Sequence, residues 1–165
     1  MALPVFISLP RSKSIVIRCL IINYLKNGTL LPIFDDDAND IKVVLNALKC
    51  LNSSDEAEPQ PSVIDVQDCG AAYRFLMPLL ATTKGTWILT GAPRLLERPI
   101  LPLVSFLKER GASIEKVKNG WKIEGRELQM DSFEIDTSET SQYASALMMV
   151  RGSKVQSSRF KSSKG

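Results

Sequence analysis

Apolar positions along this chain recur with a helical period, and their order is repeated. Ile41, Val44, Leu45 and Leu48 fall at i, i+3, i+4 and i+7, and Ile100, Leu103, Val104 and Leu107 do the same further on. Each set lays one apolar stripe along a helix. Short apolar runs precede both helices, at residues 30–34 and 87–89, and read as strands. With Arg18 set against Arg74, the stretch from Ser12-Lys13-Ser14 to Gly28-Thr29 matches the stretch from Cys69-Gly70-Ala71 to Gly85-Thr86. Leu20 then falls against Leu76, with one extra residue before the second glycine. The chain is internally duplicated. A third copy opens at Phe133-Glu134-Ile135, and its helix is expected to start near Thr140-Ser141-Gln142.

The repeating unit is β-α-β-α followed by a hairpin. In the second copy the hairpin strands are residues 113–117 and 121–124, joined through Asn119-Gly120, a favoured two-residue turn. In the first copy residues 52–61 are polar and carry prolines, so they read as a loop. One such unit cannot bury both faces of its elements, so the copies are expected to share one core. The expected class is α/β (α+β), with helices packed beneath a mixed sheet. Residues 1–150 form a single domain in this reading, and residues 151–165 form a basic tail expected to be disordered.

Composition narrows the function classes. The chain has 165 residues, 44% of them hydrophobic, and no apolar run approaches the ~20 residues that cross a bilayer. A soluble, cytoplasmic protein with no membrane partner is expected, since the N-terminus lacks the basic-then-apolar form of a signal peptide. Cys19, Cys50 and Cys69 are odd in number and lie in or beside helices, which favours reduced thiols, and their spacing suits no metal site. The tail from Arg151 carries five basic and no acidic side chains, so of the net +3 the preceding body holds −2. A basic nucleic-acid surface is therefore not expected in the folded part. Histidine is absent, which removes Ser-His-Asp and Cys-His catalysis and imidazole proton shuttles.

The remaining candidate chemistry is anion binding. Lys13 and Ser14 stand at a predicted helix start, where backbone N–H groups lack partners and the dipole is positive. Arg18 follows Ser14 at i+4 on the same face. The same residues also fit an ordinary capped helix start with surface charges.

Four ordered segments carry a resemblance. Leu9-Pro10-Arg11-Ser12-Lys13-Ser14, Asp68-Cys69-Gly70-Ala71-Ala72-Tyr73-Arg74, the run from Gly91 through Arg94 and Glu97-Arg98-Pro99 to Ile100, and Ser138-Glu139-Thr140-Ser141-Gln142-Tyr143 resemble the first part of the 5-enolpyruvylshikimate-3-phosphate synthases. The likeness runs from about Pro4 to Met149. It implies a transferase of aromatic amino-acid biosynthesis that moves the enolpyruvyl group of phosphoenolpyruvate to the 5-hydroxyl of shikimate 3-phosphate and releases phosphate. It also implies a fold of repeated βαβαββ units, no metal and no cofactor.

By the same resemblance Lys13 touches both substrates and is the catalytic candidate. Ser14, Arg18, Thr140, Ser141 and Gln142 would hold shikimate 3-phosphate, and Gly70 and Arg94 would hold phosphoenolpyruvate, Arg94 by its planar fork. Arg74 is ranked below Arg94 as a packing or ion-pair residue. The sequence departs from the family at Arg11, where a small residue is usual, at Asp68 and at Ala71. Arg11 beside the phosphate site would add a charge or block closure, and Asp68 would repel an anion if it pointed inward. Family members are more than twice this length, and their second domain supplies further acidic and basic groups, so a missing second domain is a further expected partner. Two other readings stay open: a non-catalytic repeat domain, and a relative of the UDP-N-acetylglucosamine enolpyruvyl transferases. Ser14 and the cysteine-free segment 91–99 disfavour the latter.

Overall fold

The computed structural model describes residues 11–53, 61–130 and 134–154. Two helices come first, α1 (Lys13–Asn27) and α2 (Asn39–Ser53). Strand β1 (Ser62–Asp65), helix α3 (Gly70–Thr82) and strand β2 (Gly85–Thr90) form a β-α-β unit whose two strands run parallel. A single turn, α4 (Pro93–Leu96), leads to α5 (Leu101–Glu109), then to the hairpin β3 (Ser113–Val117) and β4 (Gly120–Gly125), and finally to α6 (Gln142–Lys154).

The sheet has the order β1-β2-β4-β3, parallel at its first pair and antiparallel at the other two. Strand alternation decides which face is buried. Ile64, Leu89, Trp87, Trp121, Ile123 and Ile114 all point to one side, and the register sets Ile64 against Leu89, Trp87 against Ile123 and Ile114 against Ile123. Polar residues hold the other side, where Lys122 pairs with Glu124 at 3.2 Å and Ser113 donates to Glu124 at 3.0 Å. The helices therefore lie under one face only. Helix α3 is central among them and touches α2, α5, α6 and two strands. Its residues are buried on nearly every side, from Ala72 and Tyr73 through Leu79 to Ala81, as expected of a helix that is apolar all round.

Gly120 closes the hairpin with φ 142°, and a Cβ there would sit 2.1 Å from the Leu89 carbonyl oxygen. Only glycine fits such a close strand approach. Across the core, Trp121 Nε1 donates to the Tyr73 hydroxyl at 2.7 Å, which ties the hairpin to α3.

Several expected elements differ. Residues 30–34 form no strand. Among the described residues none pairs with them, and Leu30, Leu31 and Ile33 instead pack against the core as half-buried side chains. The strand expected before Lys13 lies outside the described residues, as do Phe133 and residues 54–60 of the loop expected at 52–61, whose first two residues, Asn52 and Ser53, instead continue α2. Glu134 and Ile135 carry no strand pairing. Helix α6 runs through the expected boundary at 150 as far as Lys154, and the rest of the tail lies outside the described residues. No helix among the described residues is long and apolar enough to cross a membrane.

Arg11 has a structural assignment. Its guanidinium pairs with the buried carboxylate of Asp37 and stacks over the Phe34 ring at 4.3 Å, while the Phe34 N–H donates to Asp37 at 2.7 Å. The entry to α1 is thereby tied to the loop before α2.

Tyr73→Phe leaves the buried Trp121 N–H without an acceptor, and thermal melts should show a loss of about 1–3 kcal/mol, roughly 5 °C in Tm. Adding Trp121→Phe should recover part of that loss, and full additivity would exclude the hydrogen bond as its cause. Hydrogen bonds from Arg11 and from the Phe34 N–H hold the Asp37 carboxyl below its usual 3.8. A depressed folded value means the stabilisation is complete above the unfolded value and disappears as pH falls through the folded one. Asp37→Asn should therefore melt below the parent at pH 7, with the gap closing as pH drops under 3.8; a gap unchanged with pH would contradict the pairing.

Candidate functional site

The beginnings of α1, α3 and α6 converge on one cleft of about 390 Å³. These are the first helices of the three sequence copies, and they meet through equivalent contacts. Arg18 Nη1 donates to the Ser14 carbonyl at 2.9 Å, and Arg74 Nη1 donates to the Gly70 carbonyl at 3.3 Å. Each arginine reaches back one turn to the head of its own helix. Each also crosses to α6: Arg18 Nη2 donates to Ser145 Oγ at 3.4 Å, and Arg74 Nη1 to Gln142 Oε1 at 3.2 Å. Arg18 in addition bonds Ser14 Oγ and lies over the Phe75 ring at 4.8 Å. The duplication seen in the sequence is a duplication of cation placement.

Lys13 stands half exposed at the head of α1, with Nζ 2.8 Å from Asp40 Oδ2. The hydrogen bond and charge of Asp40 raise its pKa above the usual 10.5, so Lys13 is a cation at neutral pH. Burial opposes ionisation of Asp40, but hydrogen bonds from Lys13 and from the Cys69 thiol outweigh it and hold that carboxyl low. Cys69 caps α3, its sulfur accepting the Ala72 N–H at 3.3 Å, and burial pushes its thiol up to about 11. It is a capping group rather than a nucleophile.

Gly70 has a specific reason to be glycine. A Cβ at this position would lie 2.8 Å from Arg98 Nη1 and 3.1 Å from Arg74 Nη1. Two guanidinium groups thus pack over the bare start of α3. Arg98 is carried by the turn after α4, and that turn is fixed from α6, where the Tyr143 hydroxyl donates to the Pro99 carbonyl at 2.7 Å. Four cations and the carboxylates of Asp40 and Asp68 line the cleft, leaving it positive and beside helix starts that favour an anion.

Of the residues expected from sequence, Lys13, Ser14, Arg18, Gly70 and Gln142 share this cleft. Thr140 stands behind it, its hydroxyl accepting the Gln142 N–H at 3.2 Å, and Ser141 is exposed at the head of α6. Arg94 is exposed on α4 and is not among the residues lining the cleft, whereas Arg98, one turn later, lines it. Since α4 is a single turn ended at Glu97, the chain swings Arg98 over Gly70 and leaves Arg94 on the outer side. Arg74, ranked as a packing residue, lines the cleft, and its buried Nε has no hydrogen-bond partner in the structure. Asp68 does face the cleft, whereas Arg11, held by Asp37, does not. The signal for Arg74 was its repeat equivalence to Arg18; Asp40 carried none, being one of several acids in residues 35–40.

Known proteins resemble this chain in sequence and in fold. A 3-phosphoshikimate 1-carboxyvinyltransferase of Bacteroides fragilis is 41% identical over 148 residues, covering 87% of this chain and 34% of the relative. The enzyme of that name from Aliivibrio fischeri is 35% identical over 164 residues, covering 87% of this chain and 38% of the relative. The chain thus spans little more than a third of the length of these curated relatives. The solved EPSP synthase from Acinetobacter baumannii superposes with a TM-score of 0.69 at 19% identity, over 87% of this chain and 37% of that one, which establishes the shared fold. The family model for EPSP synthase (3-phosphoshikimate 1-carboxyvinyltransferase) matches residues 6–161, and the chain belongs to that family.

Proposed function

We propose that this chain provides one wall of an enolpyruvyl-transfer site, binding shikimate 3-phosphate and phosphoenolpyruvate as small anionic substrates. The observation that carries the reading is the convergence of Lys13, Arg18, Arg74 and Arg98 on the heads of three helices. Shikimate 3-phosphate is assigned to Lys13, Ser14, Arg18, Thr140, Ser141 and Gln142. The Thr140 and Ser141 hydroxyls just before α6 and the Gln142 amide at its head suit the ring and phosphate oxygens, and Arg18 and Lys13 supply charge. Phosphoenolpyruvate is assigned to Lys13, Gly70 and Arg98, with Arg98 replacing Arg94. A guanidinium fork matches a carboxylate or a phosphate, and the missing Cβ of Gly70 leaves the approach open.

In this assignment the chain's own residues bind and orient. Lys13, held as a cation, stabilises negative charge gathering on the reacting group. Adding a proton to the enol carbon and expelling phosphate need groups facing the substrates from the opposite side, so turnover is assigned to a protein of full family length. Cysteines kept as thiols, such as the buried Cys69, suit a reducing, cytoplasmic compartment.

Calorimetric or amide-shift titration with shikimate 3-phosphate should give saturable binding, weakened about tenfold or more by Lys13→Ala and by Arg18→Ala. With shikimate 3-phosphate saturating, Arg98→Ala should weaken phosphoenolpyruvate by a similar factor, while Arg94→Ala should change it less than about twofold. Gly70→Ala should displace both guanidinium groups and act like Arg98→Ala, with the fold retained. A folded chain that binds no shikimate 3-phosphate at millimolar concentration overturns the assignment and favours the non-catalytic repeat domain.

A further inference from the structure

Asp40 belongs to none of the ligand sets above, yet its carboxylate occupies the position from which an anion would engage Lys13. The pair is 2.8 Å apart and opens onto the cleft, with the Lys13 side chain 52% exposed and that of Asp40 24%. Asp40 sits in the first turn of α2, where the helix dipole favours a negative charge. One carboxylate therefore joins the heads of α1 and α2. The neighbouring arginines are treated differently: Arg18 takes hydroxyl and carbonyl acceptors, and Arg74 takes a carbonyl and an amide, all of them neutral. Among the described residues, Lys13 is the cation of this cleft that stands at contact distance from an acid of the same wall.

We propose that Asp40 is a resident counter-anion of the site, which Lys13 exchanges for an incoming phosphate group, so that Asp40 sets the affinity threshold for ligands. The inference rests on the reading that this cleft takes a phosphorylated anion. A tethered carboxylate competes at high effective concentration, and a singly charged anion from solution gains nothing over it. A dianion interacts more strongly with Lys13, and the open arginines beside it add to the difference. Asp40 thus acts through Lys13, as a specificity-determining residue.

Inorganic phosphate and shikimate 3-phosphate, titrated separately into the folded chain, its Asp40→Asn variant and its Asp40→Glu variant, distinguish the two readings. Asp40→Asn should bind inorganic phosphate about tenfold tighter than the parent, by removal of one negative charge at contact distance. That gain should vanish in Asp40→Asn combined with Lys13→Met, and Asp40→Glu should stay within about twofold of the parent. Asp40→Ser serves as a second charge-free variant if Asp40→Asn melts early. Equal or weaker phosphate binding in both charge-free variants overturns the inference, including when the parent itself binds none. If phosphate behaves as expected while shikimate 3-phosphate binds neither parent nor variant, the inference stands and the substrate assignment fails.

Discussion

Four positive side chains crowd one cleft, and their mutual repulsion is the constraint around which the surrounding structure is arranged. At contact distances an unscreened pair of like charges costs about 1 kcal/mol in water and more near protein. The fold answers by giving these charges local acceptors: Asp40 for Lys13, the head of α1 for Arg18, the head of α3 and the Gln142 amide for Arg74. Arg98 is placed by its backbone, through the bond from Tyr143 to Pro99. Each tie is also a tertiary contact. Helix α6 in particular is joined to α1 and α3 by the same groups that would face a ligand.

The sheet's part in this is to fix where the helix heads point. Its apolar face fills with Trp87, Leu89, Trp121 and Ile123, and α3 lies buried against it. Burial of that kind leaves α3 no freedom to rotate, since its apolar surface runs nearly all the way round. Gly70 and Arg74 then emerge at the one end that reaches the cleft. A rigid element carries the site, as positioning to within fractions of an ångström requires.

Periodicity located α2 and α5, because a stripe at i, i+3, i+4 and i+7 has one helical explanation, and Asn119-Gly120 located the hairpin, because it has one favoured turn. The match of Arg18 to Arg74 was readable for the same reason: identical spacing from a helix head produces identical geometry, as the paired bonds to Ser14 and Gly70 show. Residues 30–34 misled because an apolar run satisfies two outcomes, a laddered strand or side chains laid on a core, and local sequence does not choose between them. Arg94 and Arg98 differ by one turn, and the deciding fact is where a four-residue helix ends, which depends on packing around Leu95 and Ile100. Asp40 was hidden among the acids of residues 35–40, and only its approach to Lys13 from another helix gives it meaning.

The bond between Arg18 and Ser145 joins positions 127 residues apart in sequence. A ribosome that has released the chain through α5 has already made Lys13, Gly70 and Arg98, but not the helix that anchors two of the arginines and the turn bearing the third. A ligand bound as proposed would stabilise this stretch only once α6 has been added, so the sheet and the earlier helices must collapse unaided.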